Sequence, residues 1–327
     1  MNITYFGRTI MFLYIYSMQK ILITGSNGLL GQKLVYKLKN KANTLCIATA
    51  RGENRLVNKS GYEYAELDIT SYDNVAQVFA QFMPDVIINT AAMTNVDDCE
   101  TDRDGAYLLN TISVKNQVEV LEKLQKENPN YKPHFIHLST DFIFDGTHGP
   151  LDENEKPNPL SYYAETKLEA EKIVQASLLH WAIARTVLVY GIVDNMSRSN
   201  IVLWVKQNLE LGKSINVVDD QYRTPTLAED LADGCILIAD KKASGIYNIS
   251  GKDFLNILEV AHLVADYYKL DKSLIKPSKS ADIKQPAKRP PITGFIIDKA
   301  KRDLGYNPHS FLEGIKFLEE QIKSMGI

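Results

Sequence analysis

A turn with three regularly spaced glycines follows a short apolar segment near the start of the sequence. Residues 20–24 have the composition of a buried strand, residues 32–39 have the pattern of an amphipathic helix, and the glycines lie between them. A strand, a glycine-rich turn and a helix form a common dinucleotide-binding element. Its glycines allow a tight turn and the close approach of a pyrophosphate, and the first amides of its helix attract phosphates. We therefore predict that a dinucleotide contacts the turn at Gly25, Asn27, Gly28, Leu29, Leu30 and Gly31.

The second predicted strand, residues 44–50, ends at Arg51. In dinucleotide-binding folds, a carboxylate at this position binds the ribose hydroxyls of NAD, whereas an arginine can bind the 2′-phosphate of NADP. An arginine in a solvated loop would give the same sequence. We predict that NADP(H) is the preferred cofactor and keep NAD(H) as the alternative.

Strand and helix patterns alternate over the first half of the sequence. Further strands are predicted at 64–67, 85–89, 134–138 and 181–186, with a long helix at 104–126. This alternation indicates an α/β fold with a doubly wound parallel sheet of the Rossmann type, in which ligands bind at the carboxyl ends of the strands. The residues at those ends are further candidate cofactor contacts, namely Asp68, Ile69, Ala91, Ala92, Met93 and Ser139.

The sequence divides into three predicted parts. We interpret residues 1–17 as an N-terminal extension, 18–190 as the NAD(P)-binding domain and 191–327 as mainly a smaller α/β substrate-binding domain, with an interleaved boundary. The apolar run at 10–16 is about half the length that spans a bilayer. Residues 276–291 contain four prolines and are predicted to form a loop or a lid near a substrate pocket at the domain junction.

The net charge bears on whether the protein binds nucleic acid, and the cysteines bear on metal binding and on the redox state of its compartment. A net charge of −3 argues against a protein that binds nucleic acid. Three widely separated cysteines form neither a disulfide framework nor a metal-ligand cluster. We expect a cytoplasmic protein that binds no metal and does not enter a membrane.

Tyr163 and Lys167 are one turn apart on a predicted helix that begins near Ser161. An ammonium group beside a phenol favours the phenolate, so Lys167 is expected to lower the pKa of Tyr163 toward the working range. Such a pair can donate a proton to a carbonyl oxygen while a hydride is transferred to its carbon. Taken alone, the same spacing also fits an ordinary solvated helix face.

Five motifs in this order resemble the extended short-chain dehydrogenase/reductase family. They are the Thr-Gly-x-x-Gly-x-x-Gly turn at 24–31, Asp68-Ile69, the Asn-x-Ala-Ala segment at 89–92, Ser139-Thr140 and Tyr163-x-x-x-Lys167. Within the family, residues 137–146, 157–160, 220–226 and 289–301 are similar to the dTDP-4-dehydrorhamnose reductase group. The similarity covers nearly all of the chain from residue 18 onward.

The resemblance implies a nicotinamide-dependent reduction of a 4-keto sugar on a nucleoside diphosphate, by a homodimer. It implies that Tyr163 donates the proton, that Lys167 lowers the Tyr163 pKa and holds the nicotinamide ribose, and that Thr140 hydrogen-bonds the sugar carbonyl. Asp141 would contact the sugar. Arg223 and Arg289 are candidate partners of the substrate diphosphate, because a guanidinium binds phosphate through two parallel hydrogen bonds. An ion pair within the protein is the alternative for both arginines.

The sequence departs from the pattern of the rhamnose enzymes at two positions. Leu188 stands where they often carry a tryptophan against the substrate, and Arg223 stands where they usually carry a small residue. Two alternative functions therefore remain. One is a nucleotide-sugar epimerase that retains its cofactor. The other is a non-catalytic, NADP-binding regulatory subunit like that of methionine adenosyltransferase. Phe142 after Asp141 argues against a sugar dehydratase.

Overall fold

A seven-stranded parallel sheet forms the centre of the protein. The computed structural model describes residues 18–196 and 199–325, so the predicted extension at 1–17 lies outside the described residues. The strands are β1 (Gln19–Thr24), β2 (Thr44–Ala50), β3 (Glu63–Glu66), β4 (Val86–Asn89), β5 (His134–Thr140), β6 (His180–Thr186) and β11 (Gly245–Asn248). Their spatial order, β3-β2-β1-β4-β5-β6-β11, is that of a doubly wound fold, and the predicted fold class is confirmed.

Helices cover both faces of this sheet. Side chains of a strand alternate between its two faces, and in β1 Ile21 and Ile23 join one buried apolar cluster while Leu22 joins the other. Complete burial of such side chains contributes roughly 1.5–3 kcal/mol each. The helices are α1 (Leu29–Leu38), α2 (Tyr72–Phe82), α3 (Val96–Thr101), α4 (Arg103–Tyr107), α5 (Ser113–Glu127), α6 (Tyr162–Ala176), α7 (Ile201–Glu210), α8 (Ala228–Asp240), α9 (Ile257–Tyr268), α10 (Asp298–Leu304) and α11 (Phe311–Met325).

The last strand of the main sheet comes from the second half of the chain. Strand β11 pairs in parallel with β6, with Gly245 opposite Ala182. A third apolar cluster lies outside the sheet and contains buried residues of α7, α9 and α11, including Val205, Val264 and Leu318. The chain therefore contributes to the main sheet both before and after residue 190.

Three short strand pairs position the segment that returns to the carboxyl edge of the sheet. They are β7 (Val189–Tyr190) with β10 (Thr226–Leu227), β9 (Tyr222–Arg223) with β12 (Leu255–Asn256), and β8 (Ile215–Val218) with β13 (Ile275–Ser278). Tyr222 N donates to Pro291 O at 2.7 Å, and Thr293 N donates to Tyr222 O at 3.1 Å. These bonds fix the segment around residues 290–293 beside β9.

None of the helices in the described part of the chain combines the length and apolarity needed to cross a membrane. Within residues 18–196 and 199–325, no group of three or more His, Cys, Asp and Glu side chains could hold a metal ion.

Candidate active site

The glycine turn connects β1 to α1 at the carboxyl edge of the sheet. Gly25 has a φ of +70°, and a Cβ there would lie 2.9 Å from the Ala91 backbone. A Cβ on Gly31 would lie 2.2 Å from the Gly25 carbonyl oxygen, so this glycine allows α1 to pack against the turn. Gly28 is exposed at the N-terminus of α1, followed by Leu29 and Leu30. The first amides of a helix have no partner within the helix, which makes this end a suitable anion site.

Asn27 joins this turn to the loop after β2. Its Nδ2 donates to Glu53 O at 2.9 Å, and its Oδ1 accepts from Arg55 N at 2.9 Å. Arg51 and Arg55 are both exposed on this loop. The sequence analysis missed Arg55, because its position depends on the Asn27 contact rather than on strand spacing.

Asp68 lies close to the same loop. Hydrogen bonds from Thr70 lower the pKa of Asp68, and the nearby charge of Arg51 lowers it further. Ile69, next in the chain, is buried in the core between the sheet and its helices. The carboxyl ends of β2 and β3 therefore carry the Arg51 guanidinium and the Asp68 carboxylate.

The segment after β4 is held to α6 by one side chain, Asn110. Asn110 Oδ1 accepts from Met93 N at 2.8 Å, while Nδ2 donates to Met93 O at 3.1 Å and to Thr166 Oγ1 at 3.1 Å. Asn110 lies in a π-helical turn, Leu108–Ile112, between α4 and α5. The half-buried Ala91 and Ala92 precede Met93 at the sheet edge.

Ser139 and Thr140 end strand β5 next to Tyr163. The Ser139 hydroxyl is buried and has no hydrogen-bond partner among the residues that the structure describes. Thr140 Oγ1 donates to Asp141 Oδ1 at 3.2 Å, and the Thr140 side chain lies near enough to the Tyr163 phenol to influence its pKa. The structure thus brings together the side chains of the two residues predicted to contact a carbonyl.

Tyr163 lies in the first turn of α6 and is 8% exposed. Its ring packs edge-on against Phe142 with the centroids 6.1 Å apart. Burial raises the pKa of Tyr163 above its usual value. The neighbouring Thr140 hydroxyl opposes this shift, and the charge of Asp141 adds to it. The phenol is therefore protonated at neutral pH.

Lys167 extends toward strand β5. Its Nζ donates to Leu138 O at 2.6 Å and lies 3.4 Å from His137 Nε2. Burial lowers the pKa of Lys167 to about 8, while the charge of Glu171 opposes this shift. The expected lowering of the Tyr163 pKa by Lys167 is therefore not what the structure shows, because burial is the larger effect and raises the pKa of Tyr163.

Asp141 and Arg223 form a buried ion pair behind Thr140. Arg223 Nε lies 3.6 Å from Asp141 Oδ2, and both side chains are 4% exposed. Thr293 donates to the same carboxylate oxygen. Burial raises the pKa of Asp141, and the Arg223 charge opposes this shift. Both oxygens of Asp141 accept hydrogen bonds within the protein, and the predicted contact of Asp141 with a sugar stays a prediction.

The guanidinium of Arg223 has several partners within the protein, and its predicted diphosphate contact stays a prediction. Its guanidinium donates to the carbonyl oxygens of Tyr222 at 2.7 Å, of Pro291 at 3.0 Å and of Pro290 at 2.7 Å. A buried guanidinium with these partners cannot turn toward a substrate without losing them. Arg223 holds the returning segment 290–293 to strand β9.

Arg289 forms a partly exposed ion pair with Asp97 at the start of α3. The shortest of its contacts joins Arg289 Nη2 to Asp97 Oδ2 at 2.7 Å. Asp97 also accepts from Ala287 N at 3.1 Å. Through these contacts Asp97 anchors the proline-rich segment to the sheet edge.

Leu188, the other departure from the reductase pattern, has a φ of +38°. This left-handed conformation is rare for a branched side chain. Leu188 O accepts from Thr226 N at 3.2 Å, where β7 and β10 begin to pair. The site therefore carries local backbone strain at the position where the reductases often have a tryptophan.

Comparisons with known proteins agree with this architecture. Methionine adenosyltransferase 2 subunit beta of Xenopus tropicalis is 31% identical over 265 residues, which cover 79% of this chain and 75% of that protein. The solved dTDP-4-dehydrorhamnose reductase of Clostridium acetobutylicum is 28% identical with a TM-score of 0.79, covering 93% of this chain and 99% of that one. That of Bacillus anthracis, solved with NADP, is 25% identical with a TM-score of 0.77, covering 93% and 99%.

One protein family matches almost the whole of the described sequence. Residues 18–323 match the family described as the RmlD substrate binding domain. The match includes the glycine turn, the end of β5 and the Tyr163–Lys167 helix. The chain therefore belongs to the RmlD substrate binding domain family, within the extended short-chain dehydrogenase/reductases.

Proposed function

We propose that the protein is an NADP(H)-dependent reductase of a nucleotide-activated 4-keto sugar, with dTDP-4-dehydrorhamnose as its substrate. The observation that carries this proposal is the placement of the Tyr163 phenol beside the Thr140 side chain at the carboxyl edge of the sheet, with Lys167 one helical turn further on. The similarity to two solved dTDP-4-dehydrorhamnose reductases supports the choice of sugar.

The described residues fit a nicotinamide cofactor. The exposed Gly28 at the start of α1 would hold the pyrophosphate, and the unpartnered Ser139 hydroxyl would face the nicotinamide half. Arg51 and Arg55 would hold the 2′-phosphate of NADP, which supports a preference for NADPH over NADH. When bound, the cofactor supplies the hydride that reduces the keto carbon.

Tyr163 supplies the proton in this proposal. Its raised pKa keeps it protonated at neutral pH, so that it can donate to the oxygen of the sugar carbonyl as the carbon accepts the hydride. Thr140 would donate a second hydrogen bond to the same oxygen and hold it near the phenol. The product is the corresponding alcohol.

Arg289 remains the candidate partner for the substrate diphosphate. Its side chain is 19% exposed, and its ionic partner Asp97 is 30% exposed, so solvent and substrate can reach the pair. We further propose that the protein acts as a homodimer in the cytoplasm. Its three cysteines are all buried, which is compatible with a reducing compartment.

A screen of 4-keto nucleotide sugars tests the proposed function. We expect absorbance of NADPH to fall when the protein and dTDP-4-dehydrorhamnose are mixed, and to fall more slowly with NADH. Consumption of neither cofactor with any 4-keto nucleotide sugar would contradict the reductase proposal. Interconversion of two nucleotide sugars without consumption of cofactor would establish the epimerase instead.

One observation favours a second candidate, a regulatory subunit. The chain is 31% identical to a methionine adenosyltransferase subunit over 79% of its length. A regulatory protein of this kind would bind NADP without turnover and would change the rate of a catalytic partner. Mixing the protein with a methionine adenosyltransferase catalytic subunit, with and without NADP, tests this candidate through complex formation and the rate of that enzyme.

A further inference from the structure

The loop between β2 and β3, residues 51–62, carries the two exposed arginines proposed to bind the 2′-phosphate of NADP. Its first turn is held by the strand that follows it, because Gly52 N donates to Glu66 Oε1 at 3.0 Å. Its middle is held by the glycine turn, because Arg55 N donates to Asn27 Oδ1 at 2.9 Å. The first half of the loop therefore depends on neighbours within the dinucleotide-binding half of the chain.

The second half of the loop is held by Asp194 and Asn195, which follow strand β7. Val57 N donates to Asp194 Oδ2 at 2.9 Å, across 137 positions of the sequence. Asn195 Nδ2 donates to Arg55 O at 3.0 Å. The backbone of Arg55 is therefore fixed on both sides, by Asn27 at its nitrogen and by Asn195 at its oxygen.

Helix α1 fixes the position of Asp194. Asp194 N donates to Gln32 Oε1, and Gln32 Nε2 donates to Asp194 O, both at 3.0 Å. Tyr36, one turn later on α1, donates its hydroxyl to Asp194 Oδ2. Burial and this hydrogen bond raise the pKa of Tyr36 to about 12, so its hydroxyl remains a donor at neutral pH. The helix that begins at the glycine turn therefore also holds the residue that holds the loop.

Packing gives this end of the loop little support. Leu56 is buried in the apolar core, whereas the next residue, Val57, is 73% exposed. A cavity of about 590 Å³ is lined by Val57, Asn58, Tyr36 and Asp194. Beyond Leu56, hydrogen bonds to Asp194 rather than packed apolar side chains therefore determine where the loop lies.

We propose that Asp194 and Asn195 are positioning residues that determine cofactor specificity, because they hold the loop so that Arg55 meets the 2′-phosphate of NADP. This inference rests on the proposed binding of a nicotinamide cofactor. A loop that must be ordered on binding lowers the affinity in proportion to the fraction of molecules in which it is already in place. NAD has no 2′-phosphate, so loosening of the loop should weaken the binding of NADPH and not that of NADH.

Three variants alter these contacts. Asp194→Ala removes the acceptor of Val57 N, whereas Asp194→Asn keeps a side-chain oxygen that can accept the same hydrogen bond. Asn195→Gly removes the donor to Arg55 O. Asn195 has a φ of +49°, a conformation that glycine adopts without strain, so this change removes the side chain and spares the backbone.

Asp233→Ala is the matched control. Asp233 pairs with Lys37 at 2.8 Å and so joins α8 to the same helix that holds Asp194. Its removal takes away a carboxylate partner of α1 and leaves the contacts of the loop in place.

Fluorescence titration of the whole protein with NADPH and with NADH measures the specificity. We expect Asp194→Ala to raise the Kd for NADPH by about 10-fold and Asn195→Gly by about 3-fold, with the Kd for NADH unchanged. Asp194→Asn should keep most of the affinity for NADPH, and Asp233→Ala should change neither constant. A general structural defect would weaken both cofactors alike.

Trypsin cleavage after Arg55, identified by mass spectrometry, measures the order of the loop without any cofactor. Cleavage requires local opening, so its rate follows the fraction of molecules in which the loop is open. We expect this rate to rise by about 10-fold in Asp194→Ala and about 3-fold in Asn195→Gly. It should stay close to that of the unaltered protein in Asp194→Asn and Asp233→Ala.

Both the cleavage rate and the ratio of the two Kd values must change, and a folded Asp194→Ala protein in which either is unaltered would overturn the proposal. If that variant does not fold, Asn195→Gly decides in the same way. A protein that shows both changes but reduces no keto sugar contradicts the proposed reductase alone. A protein that reduces a keto sugar without showing them contradicts this inference alone, and one that binds neither cofactor contradicts both.

Discussion

The Thr140 side chain at the end of β5 lies beside the Tyr163 phenol in the first turn of α6, near enough to influence the pKa of that phenol. Both groups are buried, and the ring of Phe142 packs edge-on against Tyr163. The two side chains therefore belong to one site at the junction of sheet and helix. This relationship leads to the first prediction.

Replacement of Tyr163 by phenylalanine should abolish most of the turnover and leave cofactor affinity unchanged. The phenolic hydroxyl and its proton are removed while the ring is kept, so we expect kcat to fall by about 100-fold or more. The measurements are kcat with a keto sugar and the Kd for NADPH. Tyr162→Phe is the matched control. The Arg103 guanidinium lies over the Tyr162 ring, 4.7 Å from its centroid, and Tyr162 has no assigned role in proton transfer. Equal losses in both variants would contradict the assigned role.

Replacement of Gly25 by alanine should destabilise the protein more than the same change at Gly212. Both glycines have nearly equal φ angles of +70° and +67°, but a Cβ on Gly212 would meet no other described residue within 4 Å. We expect Gly212→Ala to lower the free energy of unfolding by about 1–2 kcal/mol and Gly25→Ala by about 3 kcal/mol or more. Denaturant titration measures both. Equal effects would show that the contact with Ala91 is unimportant.

Removal of one partner of the Asp141–Arg223 pair should be more harmful than removal of both. Asp141→Asn leaves a buried guanidinium without its counter-charge, for which we expect a loss of about 3–5 kcal/mol in the free energy of unfolding. Asp141→Asn combined with Arg223→Met should recover part of that loss. The exposed pair of Arg302 and Asp303 serves as the control, and Arg302→Met should have almost no effect. A double variant less stable than Asp141→Asn would count against the pair.

Lys167 should make the stability of the protein increase with pH above about pH 8. Its folded pKa is about 8, below the usual 10.5, so between these values the unfolded chain binds more protons than the folded one. The free energy of unfolding therefore gains up to about 1.4 kcal/mol per pH unit from this group in that window. We expect Lys167→Met to lose this contribution in urea titrations at several pH values. Identical slopes would show that Lys167 remains charged in the folded protein.

Replacement of Arg51 by aspartate should reverse the cofactor preference. Loss of a charge-assisted contact to the 2′-phosphate should raise the Kd for NADPH by about 10-fold, and the Kd for NADH should stay constant or fall. Arg302→Asp, with the same charge change on another part of the surface, should change neither constant. Fluorescence titration with both cofactors provides the measurement. A parallel weakening of both would indicate a general structural effect.

The sequence by itself determined the sheet, the glycine turn and the order of the motifs at the strand ends. Strand and helix periodicities are local, and the glycines of the turn allow backbone contacts that a Cβ would block, as the 2.2 Å approach at Gly31 shows. These features depend on neighbours only a few residues away. They could therefore be predicted without any tertiary contact.

Only the tertiary structure decided where the long charged side chains point. Arg289 pairs with Asp97, 192 positions away, and Arg223 with Asp141, so neither arginine is free of protein partners as the sequence alone allowed. Lys167 points to His137 and Leu138 O instead of acting mainly on Tyr163. A buried charge takes the partner that the fold places within reach, because desolvation penalises any charge left unpaired. That partner is set by packing between distant segments, which helix spacing does not encode.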